Sequence, residues 1–398
     1  MLFLKNLPHK IRIRQKLLRY EKVLGVYTQG YAGLLSGEND DVDKASRKAL
    51  KLMPSAPLSQ MLAAESAQTQ GNTVRARELY MQLLEYKPTE FAAIKGLLTS
   101  ARQRNDMEEA IYYAERGYRL RPNAPHVAAI LLLLYKQGGR WQDAELFLEG
   151  YRKEHSGIFS RHATELDIKK ELAMVHYMLG VQCVERGDQE KALELTEQSN
   201  KTYPAFIPAA FLASELALKM EHKRKATAII ERSWKHRPTI ELGKRYLSIY
   251  EDDSEKKKLK RAKKLLALND NFPESHAVVA IAAYKAGDTT QARNHLKLAL
   301  SEMETSSLCN LMVDIERADP NSSEQNIHQW IERARHAHPD PTWNCKECGH
   351  AVSEWNIECD HCHAIDAIYW RKTAYGEKNS PANDSFVEAS PRLVSEKR

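Results

Sequence analysis

Pro54, Pro88 and Pro122 stand 34 residues apart, Ala76, Ala110 and Ala144 repeat that interval, and after an insertion it returns in Ala192 and Ala226 and in Pro204 and Pro238. Few sequence features restrict a fold more tightly. A unit of this length cannot bury its apolar face alone, so units must stack, each covering the next. The alanine lets two helices of a pair approach closely, and the proline halts the second helix and turns the chain into the next unit. The stretch HYMLGVQCVERGDQEKALELTEQSNKTYP, His176 to Pro204, shows one unit whole: Leu179-Gly180 in the first helix, Gly187-Asp188 in the turn, Ala192 in the second helix. The turn recurs as Gly71-Asn72, Gly138-Gly139 and Gly287-Asp288.

This is the period of tetratricopeptide repeats. Units are predicted to start near residues 23, 57, 91, 125, 173, 207, 241 and 273, and a degenerate helical pair at 305–337 closes the array. Strand signals are absent from the sequence, so the fold class is all-α, a tetratricopeptide-repeat superhelix (α-solenoid) ending in a small C-terminal four-cysteine metal knuckle. The predicted division is a basic segment at 1–22, a first lobe of repeats at 23–156, an irregular connector at 157–172, a second lobe at 173–340, the knuckle at 341–372 and a disordered tail at 373–398, rich in Ser, Pro, Asn, Glu and Lys. Most Leu, Ala and Tyr at helical spacing fill the space between helices. Solenoids hold peptides or partner helices in the concave groove lined by the first helix of each unit, so a protein partner is expected there.

The cysteines carry the chemistry. Cys345-Lys346-Glu347-Cys348 is followed, with ten residues between, by Cys359-Asp360-His361-Cys362, and four thiols in two such knuckles can close tetrahedrally around one ion. Zinc as a structural ion is the expected occupant, although an all-sulfur tetrahedron also accepts iron. A closed set leaves no open coordination position, so the ion holds structure and does not activate water. A segment of about thirty residues buries little core, and coordination must contribute on the order of 10 kcal/mol to its folding. Trp343, Trp355, Tyr369 and Trp370 are expected to cover the knuckles. Other readings stay open: Cys359-Cys362-His363 spells the C-x-x-C-H attachment signature of a c-type haem, a redox C-x-x-C would need a βαβ unit, and His350, His361 or His363 could replace a thiol as ligand. Cys183 and Cys309 lie in helical patterns and read as small buried hydrophobes, which suits a reducing compartment.

No G-x-S-x-G, H-E-x-x-H, Walker loop or dinucleotide fingerprint appears, and no catalytic residue is nominated; the chain reads as no enzyme. A formal charge of +6 over 59 basic and 53 acidic residues gives no footprint of nucleic-acid binding. The local run at residues 5–22 differs: Lys5, Lys10, Arg12, Arg14, Lys16, Arg19 and Lys22 against Glu21 alone, interleaved with Leu and Ile. It is either a membrane-surface stretch, where each basic group near an anionic leaflet contributes about 1 kcal/mol, or a plain basic helix flank. No run of about 18 apolar residues is present. The basic run Lys256 to Lys264 reads as a solvated helix face.

The block YTQGYAGLLSGENDDVDKASRKALKLMPSAPLSQMLAAESAQTQGN, within Tyr27 to Tyr151, and the ending PDPTWNCKECGHAVSEWNIECDHCHAIDAIYW together resemble the HemY family, the tetratricopeptide proteins associated with bacterial haem biosynthesis. The resemblance implies a non-catalytic protein at the cytoplasmic face of the bacterial inner membrane that gathers haem-biosynthesis enzymes or intermediates of porphyrin metabolism. Family members usually carry two transmembrane helices ahead of the basic segment, which this sequence does not show. The chain is also similar to lipopolysaccharide assembly protein B, an adaptor in proteolysis of a lipid-biosynthesis enzyme, whose four rubredoxin-like cysteines would correspond to Cys345, Cys348, Cys359 and Cys362.

Overall fold

The computed structural model describes the backbone at residues 7–154 and 163–371, and side chains at 13–154 and 168–371. The tail predicted at 373–398 lies outside the described residues, as does most of the basic segment before residue 13. Eighteen helices and three short strands are present among the described residues, and the helices fall into consecutive pairs of the tetratricopeptide kind.

Two compact units divide the chain, residues 1–144 and 145–398. The first unit opens with α1 (Leu7–Ser36) and α2 (Asn39–Leu52), followed by α3 (Pro57–Thr69) with α4 (Thr73–Leu83), α5 (Lys87–Gln103) with α6 (Met107–Leu120), and α7 (Pro125–Gln137); α8 (Trp141–Glu154) spans the division. The second holds α9 (Ala163–Glu185) with α10 (Gln189–Thr202), α11 (Ile207–Lys219) with α12 (Lys223–Trp234), α13 (Ile240–Ser248) with α14 (Glu255–Leu268), α15 (Pro273–Lys285) with α16 (Thr289–Glu302), and α17 (Ser306–Ala318) with α18 (Glu324–His336).

The periodic residues do what their size requires. Ala76, Ala110, Ala144, Ala192 and Ala226 are all at most 1% exposed, so each second helix presents a methyl group where a longer side chain would hold the pair apart. Pro54, Pro204 and Pro238 lie between helices, but Pro88 sits inside the first turn of α5. There its missing N–H costs nothing, because the first helical amides have no intrahelical acceptor, and α5 therefore begins four residues before the predicted position of 91.

The turn between paired helices uses one conformation repeatedly. Gly71, Gly139, Gly187 and Gly287 take positive φ of 65 to 83°. Asn72, Asp188 and Asp288 follow directly and cap the second helix, accepting from the amides of Arg75, Lys191 and Gln291. Glu221 occupies the same position before α12 at φ 62°, where a Cβ crowds the backbone by roughly 1–2 kcal/mol. Glu221→Gly is expected to raise stability by about 1 kcal/mol, seen as a higher urea midpoint with an unchanged slope.

Three expectations need correction. The first repeat, predicted to start near residue 23, opens on a helix that already begins at Leu7 and runs through the boundary predicted at 22. The connector predicted at 157–172 is helical from Ala163 onward, because α9 extends a full turn and more ahead of its repeat register. Strands do occur: β1 (Thr342–Cys345), β2 (Ala351–Val352) and β3 (Ile368–Arg371) form an antiparallel sheet in the order β2-β1-β3. Their two to four residues are too short to show alternation in sequence.

Candidate metal centre

The linker to the sheet is fixed before the first cysteine. Ser306 N–H donates to the carbonyl of His338 at 2.9 Å, tying the chain after α18 to the start of α17. In β1, Trp343 pairs with Val352 and Trp370, and Cys345 pairs with Ile368.

Each C-x-x-C then folds into the same loop. Gly349 N–H donates to the Cys345 carbonyl at 2.9 Å, and His363 N–H donates to the Cys359 carbonyl at 2.9 Å. Closing bonds run from Cys345 N–H to His350 O at 2.9 Å and from Cys359 N–H to Ala364 O at 3.0 Å. Gly349 has φ 73° and His363 has φ 58°, so His363 occupies the left-handed corner that glycine fills in the first loop.

The four Sγ atoms converge within 4.8 Å of one another. Cys345 and Cys362 are 3.6 Å apart, Cys348 and Cys359 3.8 Å. A disulfide requires about 2.05 Å, whereas zinc–sulfur bonds of about 2.3 Å in a tetrahedron put sulfurs about 3.8 Å apart. The donor set thus fits one ion and is not a pair of disulfides. Cys345 and Cys359 are buried, Cys348 is exposed and Cys362 half-buried. The backbone N–H of Cys362, helped by that of His361, pulls the Cys359 thiol down to about 7, while desolvation and the neighbouring sulfurs push the thiols of Cys348 and Cys362 up.

The histidines stand aside. His350 and His361 stack on one another at 5.1 Å, and His363 Nδ1 lies 2.6 Å from Glu358. All three are exposed. The geometry gives His363 a turn-forming place, and His363→Gly is expected to leave metal stoichiometry unchanged and to stabilise the knuckle slightly. Loss of the bound group in that variant, measured by elemental analysis, would revive the C-x-x-C-H reading.

The knuckle follows the last helical pair in sequence, yet it packs against α9 and the loop before α11. Trp355, Tyr177 and Phe206 meet edge-to-face, with centroids 5.4 Å apart for Trp355 and Tyr177, 5.0 Å for Trp355 and Phe206, and 5.5 Å for Tyr177 and Phe206. Trp355 Nε1–H also donates to the Ile368 carbonyl at 3.2 Å. Burial pushes the Tyr177 hydroxyl up to about 12. Trp343 and Trp355 cover the knuckle core as expected, but the role of Tyr177 and Phe206 was not foreseen, since no local pattern announces a contact across 150 residues.

Of the other candidates, Cys309 is fully buried and its thiol is pushed up to about 11 by burial, while Cys183 is half-buried. Side chains 13–22 of α1 are all exposed, including Ile13, Leu17, Leu18 and Tyr20. Along α14, Lys256, Lys257, Lys260, Lys263 and Lys264 face solvent. No described helix is long and apolar enough to cross a membrane.

No protein-family profile matches the chain. It is 26% identical over 209 residues to the probable magnetosome protein Mms48 of Magnetospirillum gryphiswaldense, a match covering 52% of this chain and 46% of that protein. The chain therefore spans under half the length of that relative. Among solved structures, it is similar to Naa15/Naa10 bound to HypK-THB at 14% identity and TM-score 0.44, covering 84% of this chain and 57% of that one. The TPR2AB-domain:pHSP90 complex of yeast Sti1 is similar at 14% identity and TM-score 0.30, covering 79% of this chain and 99% of that one.

Proposed function

We propose that the chain is a non-catalytic scaffold that holds protein partners along its helical pairs, and that Cys345, Cys348, Cys359 and Cys362 hold one structural zinc ion, with iron as the other ion such a set accepts. The closed set of four converging thiols carries this reading. It offers an ion four ligands and no open position, so the chemistry it supplies is cohesion of the knuckle. The paired helices supply extended surface for a peptide or helix.

The partners proposed are haem-biosynthesis enzymes at the cytoplasmic face of the bacterial inner membrane, on the resemblance of the Tyr27 block and the cysteine-bearing ending. The exposed basic and apolar residues of α1 suit contact with an anionic membrane surface. The second reading, an adaptor that regulates proteolysis in lipopolysaccharide assembly, draws on the same four cysteines. Affinity capture from the native membrane separates them. Recovery of ferrochelatase or neighbouring enzymes is the expected outcome, recovery of a membrane protease favours the second reading, and turnover of a porphyrin by the purified chain would overturn the scaffold itself.

A further inference from the structure

Where the knuckle meets the helices, the two surfaces do not close completely. They leave a cavity of about 110 Å³, smaller than the roughly 150 Å³ engineered cavity that accepts benzene and comparable to one aliphatic side chain. Aromatic and aliphatic side chains, including Trp343, Trp355, Trp370, Phe206 and Met174, share its lining with Lys170, Glu171, Arg237 and Asp366. These tryptophans are only half-buried, so apolar surface there remains open to water.

The charged groups at the cavity differ in their commitments. Lys170 lies 5.7 Å over the Tyr203 ring, and Glu171 and Asp366 have interactions of their own. Arg237, just after α12, lines the same cavity, and its guanidinium makes no side-chain hydrogen bond or ion pair among the described residues. A guanidinium beside an aromatic wall is suited to a carboxylate, which it can hold through two parallel N–H bonds.

We propose that this cavity is a docking pocket for an acidic segment of a partner protein, which inserts one aliphatic side chain between the tryptophans and pairs a neighbouring carboxylate with Arg237. The inference rests on the scaffold reading and deepens it: the knuckle completes a recognition site that the helices alone do not form. The volume admits one aliphatic side chain, and the Arg237 guanidinium selects an acidic flank over a basic one.

The test uses the full metal-loaded chain and the pentapeptide acetyl-Gly-Asp-Leu-Asp-Gly-amide, followed through tryptophan fluorescence, since three tryptophans line the cavity. Saturable binding is expected, lost when Gly replaces the peptide's Leu and weakened about 10-fold when Asn replaces its Asp residues. Arg237→Ala is expected to weaken it by about 10-fold as well, and Ala205→Phe to abolish it by filling the space. If Ala205→Phe loses its metal, Arg237→Ala decides alone, because that side chain has no partner to orphan. Absence of saturable binding, equal or tighter binding of the peptide carrying Lys for Asp, or indifference to Arg237→Ala would each overturn the proposal. Captured partners that bind both variants normally would refute the pocket and leave the scaffold reading standing; capture of no partner would refute the scaffold whatever the pentapeptide does.

Discussion

Replacing Cys348 with Ser is expected to unfold residues 341–371 and to leave the helices standing. The knuckle's own core is Cys345, Cys359, Ala367 and Ile368 with a few half-buried neighbours, far too little apolar area to hold about thirty residues in place. Coordination supplies the difference, on the order of 10 kcal/mol for structural zinc, and Cys348 supplies one of its four bonds. The helical pairs are stabilised by their own neighbours, and their stability is a sum of local terms. Far-ultraviolet circular dichroism should therefore change little, while near-ultraviolet signals from Trp343, Trp355 and Trp370 collapse and proteases cut beyond residue 340. Withdrawal of Trp355 also bares Tyr177 and Phe206, so the fifth and sixth pairs should melt slightly earlier. Simultaneous loss of the whole helical signal would contradict this account, as would a knuckle that stays protected.

The second large effect is expected in the helices. Trp234 is 0% exposed and belongs to the core cluster of the second unit with Leu216, Tyr246 and Ile229. Gly243 on α13 makes room for it: a Cβ there would come within 3.2 Å of the indole and 2.4 Å of Val278. Trp234→Ala should cost about 3–5 kcal/mol, from lost transfer energy and the cavity left behind, against a total of about 5–15 kcal/mol for a typical domain. Trp234→Phe should cost much less, because it keeps most of the buried ring and also removes the indole Nε1, which is buried without a hydrogen-bond partner. Urea unfolding followed by helical signal measures both. Equal losses in the two variants would contradict the packing role given to the Trp234 ring.

What the sequence made legible follows the range of each interaction. The 34-residue interval fixes local geometry, and the starts of α3, α7, α11, α13 and α15 fall within one residue of their predicted positions. The four cysteines were legible for the same reason, since each loop is closed by bonds between residues at most five apart. The early start of α9 was hidden because helical propensity continues through a stretch whose repeat register is broken. Docking of Trp355 on Tyr177 and Phe206 was hidden because it depends on how the later pairs return the chain to the fifth, which no periodicity encodes. Arg237 gave no sign either: among the basic residues in and just after α12, it is distinguished by the aromatic wall beside it.

X-ray absorption at the metal edge of the purified chain, combined with elemental analysis, tests the centre of this account most directly. One ion per chain surrounded by four sulfurs at about 2.3 Å is the predicted result. A preparation without metal, sulfurs joined at about 2.05 Å, or an ion bound by histidine nitrogen in place of a thiolate would contradict it.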